Sequence, residues 1–172
     1  SLVLAIIAIA INSSSRDESY IVHQSMWNIY APEIERSVGE YMPVSLDHIF
    51  GAIASHHIPT TIPQLVELYS RIGKTQTVEN IIIIGPDHIN AGMAPITVSS
   101  GAFQTTYSTL LPIEGLAEKL KESGIANIEE DIFDPEHSIG SQILVISKIF
   151  PKARITPIIL RSDTTKRQAE AL

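Results

Sequence analysis

Apolar and polar positions along this chain fall into blocks whose lengths suit strands and helices in turn. The clearest block is Ile81-Ile82-Ile83-Ile84, four β-branched residues that predict a strand covered on both faces. Gly85-Pro86 stops it abruptly and delivers Asp87 and His88 at its carboxyl end. In an open α/β sheet that edge is where ligands and catalytic groups gather. Upstream, Phe50-Gly51-Ala52-Ile53-Ala54-Ser55-His56 reads as a short buried strand, closed by His56-His57-Ile58-Pro59. Thr60-Thr61-Ile62-Pro63 then opens a helix, with Thr to cap it and Pro in its first turn. Ile62, Leu65, Val66, Tyr69 and Ile72 recur at helical spacing, and Gly73 ends the element. Strand, helix, strand predicts a right-handed parallel βαβ unit. That unit sets His56 and His88 at one edge of the sheet.

Further along, Pro95-Ile96-Thr97-Val98-Ser99-Ser100 alternates as a short strand, and residues 101–111 form a loop or hairpin without regular pattern. Ile113, Leu116, Ala117 and Leu120 mark an amphipathic helix ended by Gly124. Asp134-Pro135-Glu136-His137-Ser138 is a helix entry with Asp134 as its cap, and Ile139, Ile143, Ile146 and Phe150 line one face. Residues 153–160 (ARITPIIL) predict another buried strand, and a last helix begins at 164. Nearer the amino end, Pro32 opens a helix whose Ile34 and Val38 share a face, and Trp27 is read as core packing. The sum is an α/β fold in three layers, a mainly parallel central sheet with helices on both faces.

Residues 2–11 (LVLAIIAIAI) are unbroken apolar sequence followed by the polar run Asn12-Ser13-Ser14-Ser15-Arg16-Asp17-Glu18. The apolar run is shorter than the ~20 residues a bilayer span requires. It matches the apolar core of a signal peptide, and Ala8-Ile9-Ala10 resembles a cleavage site. Two readings stand: a signal or membrane anchor remnant, which would tether or export the protein, and a buried first strand. The first divides the chain into 1–11 as anchor, 12–19 as linker and 20–172 as the α/β domain. Without the anchor the protein is expected in the cytoplasm.

The formal net charge of -7 and the lack of any basic run argue against a nucleic-acid partner. No cysteine is present, so any metal in this stretch must be held by His, Asp and Glu. Neither Gly-x-Gly-x-x-Gly nor a Walker-type loop occurs, so no nucleotide cofactor is expected. Gly-x-Ser-x-Gly is also missing, which disfavours a serine hydrolase. Three histidines, His56, His88 and His137, fall at element ends that could converge. Neutral imidazoles suit zinc, iron or copper, while each of the three taken alone is more often a structural or surface histidine. Side chains of successive strand residues point oppositely, so His56 and His57 are not both expected to be ligands. His23 and His48 are expected to be surface or structural residues.

The stretches Ile-Ala-Ser-His56, Ile-Ile-Ile-Gly-Pro-Asp-His88, Gly101-Ala-Phe and Glu136-His137-Ser138-Ile139 together resemble the Memo-like family, also called AmmeMemoRadiSam system protein B. That family is similar in fold to class III extradiol dioxygenases of the LigB type. The resemblance implies that His56 and His88 are metal-site histidines and that His137 lines the pocket as a catalytic or substrate-binding group. It places the family's third metal-site residue beyond Leu172, so the chain is expected to be truncated at the carboxyl end of the domain. It also implies an association with radical-SAM and AMMECR-type proteins. Ser55 and His57-Ile58-Pro59 depart from the family's Pro-His-Ala-Gly-Tyr. His57 is thereby an alternative ligand to His56. Three functions follow from the resemblance: a metal-binding protein without an assigned reaction, a non-haem iron dioxygenase acting on catechols, and a degenerate domain without metal.

Overall fold

The computed structural model describes residues 19–38 and 49–172. The apolar run 2–11, the polar stretch 12–18 and His48 lie outside the described residues. Among those described, no helix is long and apolar enough to cross a membrane.

The chain runs through β1 (Val22–Gln24), a 3-10 turn over Met26–Tyr30, α1 (Ala31–Val38) and α2 (Ile62–Thr75). Next come β2 (Asn80–Pro86), β3 (Ile96–Val98), the hairpin β4 (Ala102–Gln104) and β5 (Thr109–Leu110), and α3 (Leu116–Glu122). β6 (Asn127–Ile128), α4 (His137–Ile149), β7 (Arg154–Leu160) and α5 (Lys166–Ala169) complete it. The larger sheet has the order β2-β7-β3-β6, and a smaller one has the order β1-β4-β5. Both are mixed. β2 runs parallel to β7 in full register from Asn80 opposite Arg154 to Pro86 opposite Leu160. β7 is antiparallel to β3, and β3 parallel to β6.

The four-isoleucine run behaves as its composition dictates. Ile81 and Ile83 face one core with Ile155 and Ile159, against α2 and α4. Ile82 and Ile84 face a second core with Ile158 and the α3 residues Ala117 and Leu120. Helices therefore cover both faces of the sheet, the three-layer arrangement that the pattern predicts. Full burial of each such side chain is worth about 1.5–3 kcal/mol, so this strand pins the centre of the molecule.

Several local expectations are corrected. Residues 51–57 form no strand. Gly51, Ala52, Ala54 and Ser55 have little side chain to pack on a pleated surface, and Phe50 and Ile53 stay exposed. The βαβ unit ending at β2 is therefore not built, and β2 takes β7 as its partner instead. With no strand at His56, alternation no longer separates His56 from His57. At α4 the cap is Glu136, not Asp134; the Glu136 carboxylate accepts from the Ser138 N–H. α2 continues past Gly73 to Thr75, and its N-cap Thr61 makes no side-chain cap bond. On α1, Ile34 is buried while Val38 is exposed.

Two glycines allow close approach beneath the site. A Cβ on Gly85 would lie 2.5 Å from the Ser138 hydroxyl, and that hydroxyl donates to the Pro86 carbonyl at 3.0 Å. The start of α4 is thus seated on the end of β2. A Cβ on Gly140 would lie 1.9 Å from Nε1 of Trp27. Gly140→Ala is accordingly expected to expel the indole from α4, at a cost of about 1–3 kcal/mol for overpacking. Trp27 is the only tryptophan, so a lower thermal midpoint with red-shifted emission checks this directly. Unchanged emission would refute it.

Candidate metal centre

His56, His88 and His137 reach one place from three different elements. His88 follows β2, where the Asp87 N–H donates to the Leu160 carbonyl at 2.8 Å and extends the pairing with β7. The buried Asp87 carboxylate accepts from the Gly92 N–H at 2.9 Å and closes the turn that carries His88. His137 is the first residue of α4. His56 lies in the irregular segment before α2. One nitrogen from each of the three lies within 4.8 Å of the others.

The pair His56 and His88 is the tightest part of the cluster, with their Nε2 atoms 3.1 Å apart. Two nitrogens each about 2.0–2.1 Å from a shared zinc ion would be separated by about 3 Å at near-right to tetrahedral angles. The donor set and its spacing fit a borderline transition metal. The rings of His88 and His137 are 3.9 Å apart, centroid to centroid. His57 is exposed and stacks on His56 at 5.4 Å, at the rim of the three-histidine group. His56 is 2% exposed, whereas His88 is open to solvent. The cluster therefore has a dry floor and an open mouth.

Glu136 organises the cluster. One of its oxygens accepts from the His88 N–H at 3.0 Å. The other lies 2.7 Å from His88 Nδ1 and 2.8 Å from the Ser138 N–H. Burial pushes this carboxyl up, but the hydrogen bonds from Ser138 and His88 prevail and hold it below its ordinary value. An ionised carboxylate only accepts, so it fixes the proton of His88 on Nδ1 and leaves the Nε2 lone pair facing His56. Burial, and then the neighbouring His88, His137 and His57, lower His56 to about 4. Burial and His88 also lower His137. Neutral imidazole is the form that ligates, so His56 and His137 are held ready for an ion near neutral pH.

The structure thus gathers all three histidines singled out in the sequence. Glu136 was read there as part of a helix entry and of the stretch that resembles the family, with no role of its own, although its place beside His137 at the amino end of α4 is a signal for one. His23 is structural, as expected. It is buried between Glu130 and Asp134 and lies outside the cluster.

An α/β protein with a carboxylate-oriented histidine cluster at the carboxyl end of β2 is the class defined so far. A family profile described as Memo-like protein matches residues 33–171, and the chain belongs to that family. A MEMO1 family protein of Caldivirga maquilingensis is 32% identical over 104 residues, which is 59% of this chain and 36% of that protein. A MEMO1 family protein of Pyrobaculum arsenaticum is 30% identical over 110 residues, 63% of this chain and 39% of that one. The matched stretch thus spans less than half the length of these relatives.

Proposed function

We propose that this is a metal-binding Memo-like protein in which His56 and His88 hold a divalent transition metal, iron, zinc or copper, and His137 faces the molecule brought to it. The observation that carries this reading is the 3.1 Å approach of the two Nε2 atoms, with His88 oriented by Glu136. A bound ion of this kind supplies a Lewis acid and, with open positions, a place for an exogenous ligand. His56 provides the buried nitrogen, His88 the nitrogen at the mouth. Glu136 keeps the His88 proton on Nδ1. His137 is half-buried and held neutral, so its imidazole can meet a bound molecule as a hydrogen-bond partner. The metal site is the function proposed, with no reaction assigned to it. Catechol consumption by the iron-loaded protein under oxygen is the measurement that would add one.

The test is metal content and affinity after loading with iron(II), zinc(II) or copper(II), for wild type, His56→Ala, His88→Ala and His137→Ala. Stoichiometric metal in the wild type, lost in the first two variants and retained in the third, is the expected result. Loss in all three would make His137 a third ligand and correct its role. A wild type that takes up no metal would overturn the proposal.

A further inference from the structure

The segment that carries His56 has no strand ladder to hold it, yet His56 is the most buried member of the cluster. Its backbone is tied instead by side chains and a turn. The Ile58 N–H donates to the His56 carbonyl at 3.0 Å, and the Thr61 N–H to the His57 carbonyl at 3.0 Å. The Thr61 hydroxyl donates to the same His57 carbonyl at 2.9 Å. These bonds shape the turn, and Ala54 and Ile58 beside it pack against the core. The peptide before His56 is reached from α4: the amide of Gln142 donates to the Ser55 carbonyl at 3.4 Å, and the Thr61 hydroxyl approaches the same carbonyl at 3.5 Å.

Gln142 is a polar residue with no exposure at all, in the buried middle of α4. Its other end is used as well. The Tyr69 hydroxyl of α2 donates to Gln142 Oε1 at 2.5 Å, and burial raises this phenol well above its ordinary value, so it is a donor at any working pH. Only one amide orientation satisfies both neighbours. Turned over, Gln142 would set its oxygen against the Ser55 carbonyl, two acceptors facing each other, and leave its own buried amide without that partner. Tyr69 therefore orients Gln142, and Gln142 holds the peptide preceding His56.

We infer that Gln142 and Tyr69 are positioning residues for His56, acting through the Ser55 carbonyl. This rests on the metal-site reading for its affinity readout, but not for its structural one. Two measurements on the full-length protein separate the two. The first is metal affinity. Gln142→Met keeps the volume and removes both polar contacts, and is expected to weaken binding about 10–100-fold, the usual range for outer-shell partners. Tyr69→Phe frees the amide to turn and is expected to weaken binding less. Gln142→Glu keeps the acceptor for Tyr69 but loses the donor to Ser55, and should not rescue.

The second needs no metal. Carbethoxylation by diethyl pyrocarbonate, mapped by peptide mass, reads the shielding of each histidine. Gln142→Met is expected to speed modification of His56 severalfold while that of His23, buried elsewhere, stays at its wild-type rate. Faster modification of His56 in Gln142→Met, alongside a wild type that binds no metal, would sustain the positioning role and reject the metal site. An unchanged His56 rate in Gln142→Met, or equal acceleration of His23, overturns the inference. So does an Ile143→Val control that loses as much metal affinity as Gln142→Met, because Ile143 is a buried neighbour in the same helix that lies with His23, Phe103 and Phe133.

Discussion

Glu136→Ala is expected to weaken metal binding about 10–100-fold and to lower folding stability by about 0.5–2 kcal/mol through loss of the α4 cap. Both follow from one carboxylate serving three donors: the His88 N–H, His88 Nδ1–H and the Ser138 N–H. Alanine leaves all three without their acceptor. Glu136→Gln separates the contacts. One oxygen of Glu136 serves both the Ser138 N–H and His88 Nδ1, so a glutamine oxygen placed there keeps the cap and the His88 tautomer. The NH2 group then takes the place of the oxygen that accepts from the His88 N–H and sets two donors against each other. The glutamine variant should therefore lose less stability and less metal affinity than the alanine variant, while staying below wild type in both. Titration with zinc alongside thermal unfolding measures the two together, and proton–nitrogen correlation spectra of the imidazoles report the His88 tautomer. Affinity in Glu136→Gln as low as in Glu136→Ala, with the His88 proton still on Nδ1, would show that Glu136 does not act through the tautomer.

How far such a site is legible in the sequence depends on which forces build each part. β2 was legible because four isoleucines have one good solution, a strand buried on both faces. α2 and α4 were legible because their apolar residues recur at helical spacing and do line the core. The convergence of His56, His88 and His137 was approachable from the strand end and from the family resemblance. The segment before His56 was misread because an apolar run with small residues suits a strand in pattern while offering little to pack in one. It is met instead by contacts from far along the chain, such as Gln142, 87 residues from Ser55, and no local pattern carries that. The cap of α4 was misplaced because Asp-Pro-Glu-His-Ser offers two acids, and only the fold decides which faces the helix and which faces away. β1 was invisible for a similar reason. Three residues become a strand by pairing with β4, Val22 opposite Ala102 and Gln24 opposite Gln104.

The acid that does not cap α4 has its own use. Asp134 Oδ1 lies 2.8 Å from His23 Nδ1, while His23 Nε2 lies 2.9 Å from Glu130 Oε2. Ser99 and Ser100 also donate to Glu130 through their hydroxyls, at 2.5 and 2.9 Å. The His23 ring stacks on Phe103 with centroids 4.4 Å apart. These contacts clamp β1 and the smaller sheet to the segment leading into α4. His23 is 4% and Glu130 11% exposed, so the pair is screened little by solvent. Asp134, at 54%, contributes less, about 0–1 kcal/mol as a surface partner.

His23→Ala is accordingly expected to cost about 3 kcal/mol, the lower end of the range for removing one partner of a buried ion pair, because the serines still satisfy Glu130. The pH dependence carries a sign that identifies the clamp. Burial pushes His23 down, but its bonds to Glu130 and Asp134 raise it above 6.5. Its contribution is therefore complete below 6.5 and is lost as the pH climbs through the raised value. Burial pushes Glu130 up, yet His23 and the two serines bring it from 4.5 down to about 2. That contribution is complete above 4.5 and is lost as the pH falls towards 2. Both are present together between 4.5 and 6.5. Urea unfolding across this range and on either side, for wild type and His23→Ala, should show their difference largest inside that window and shrinking on both flanks. A difference that stays constant with pH would mean that His23 acts through ring packing on Phe103 and not through its charge.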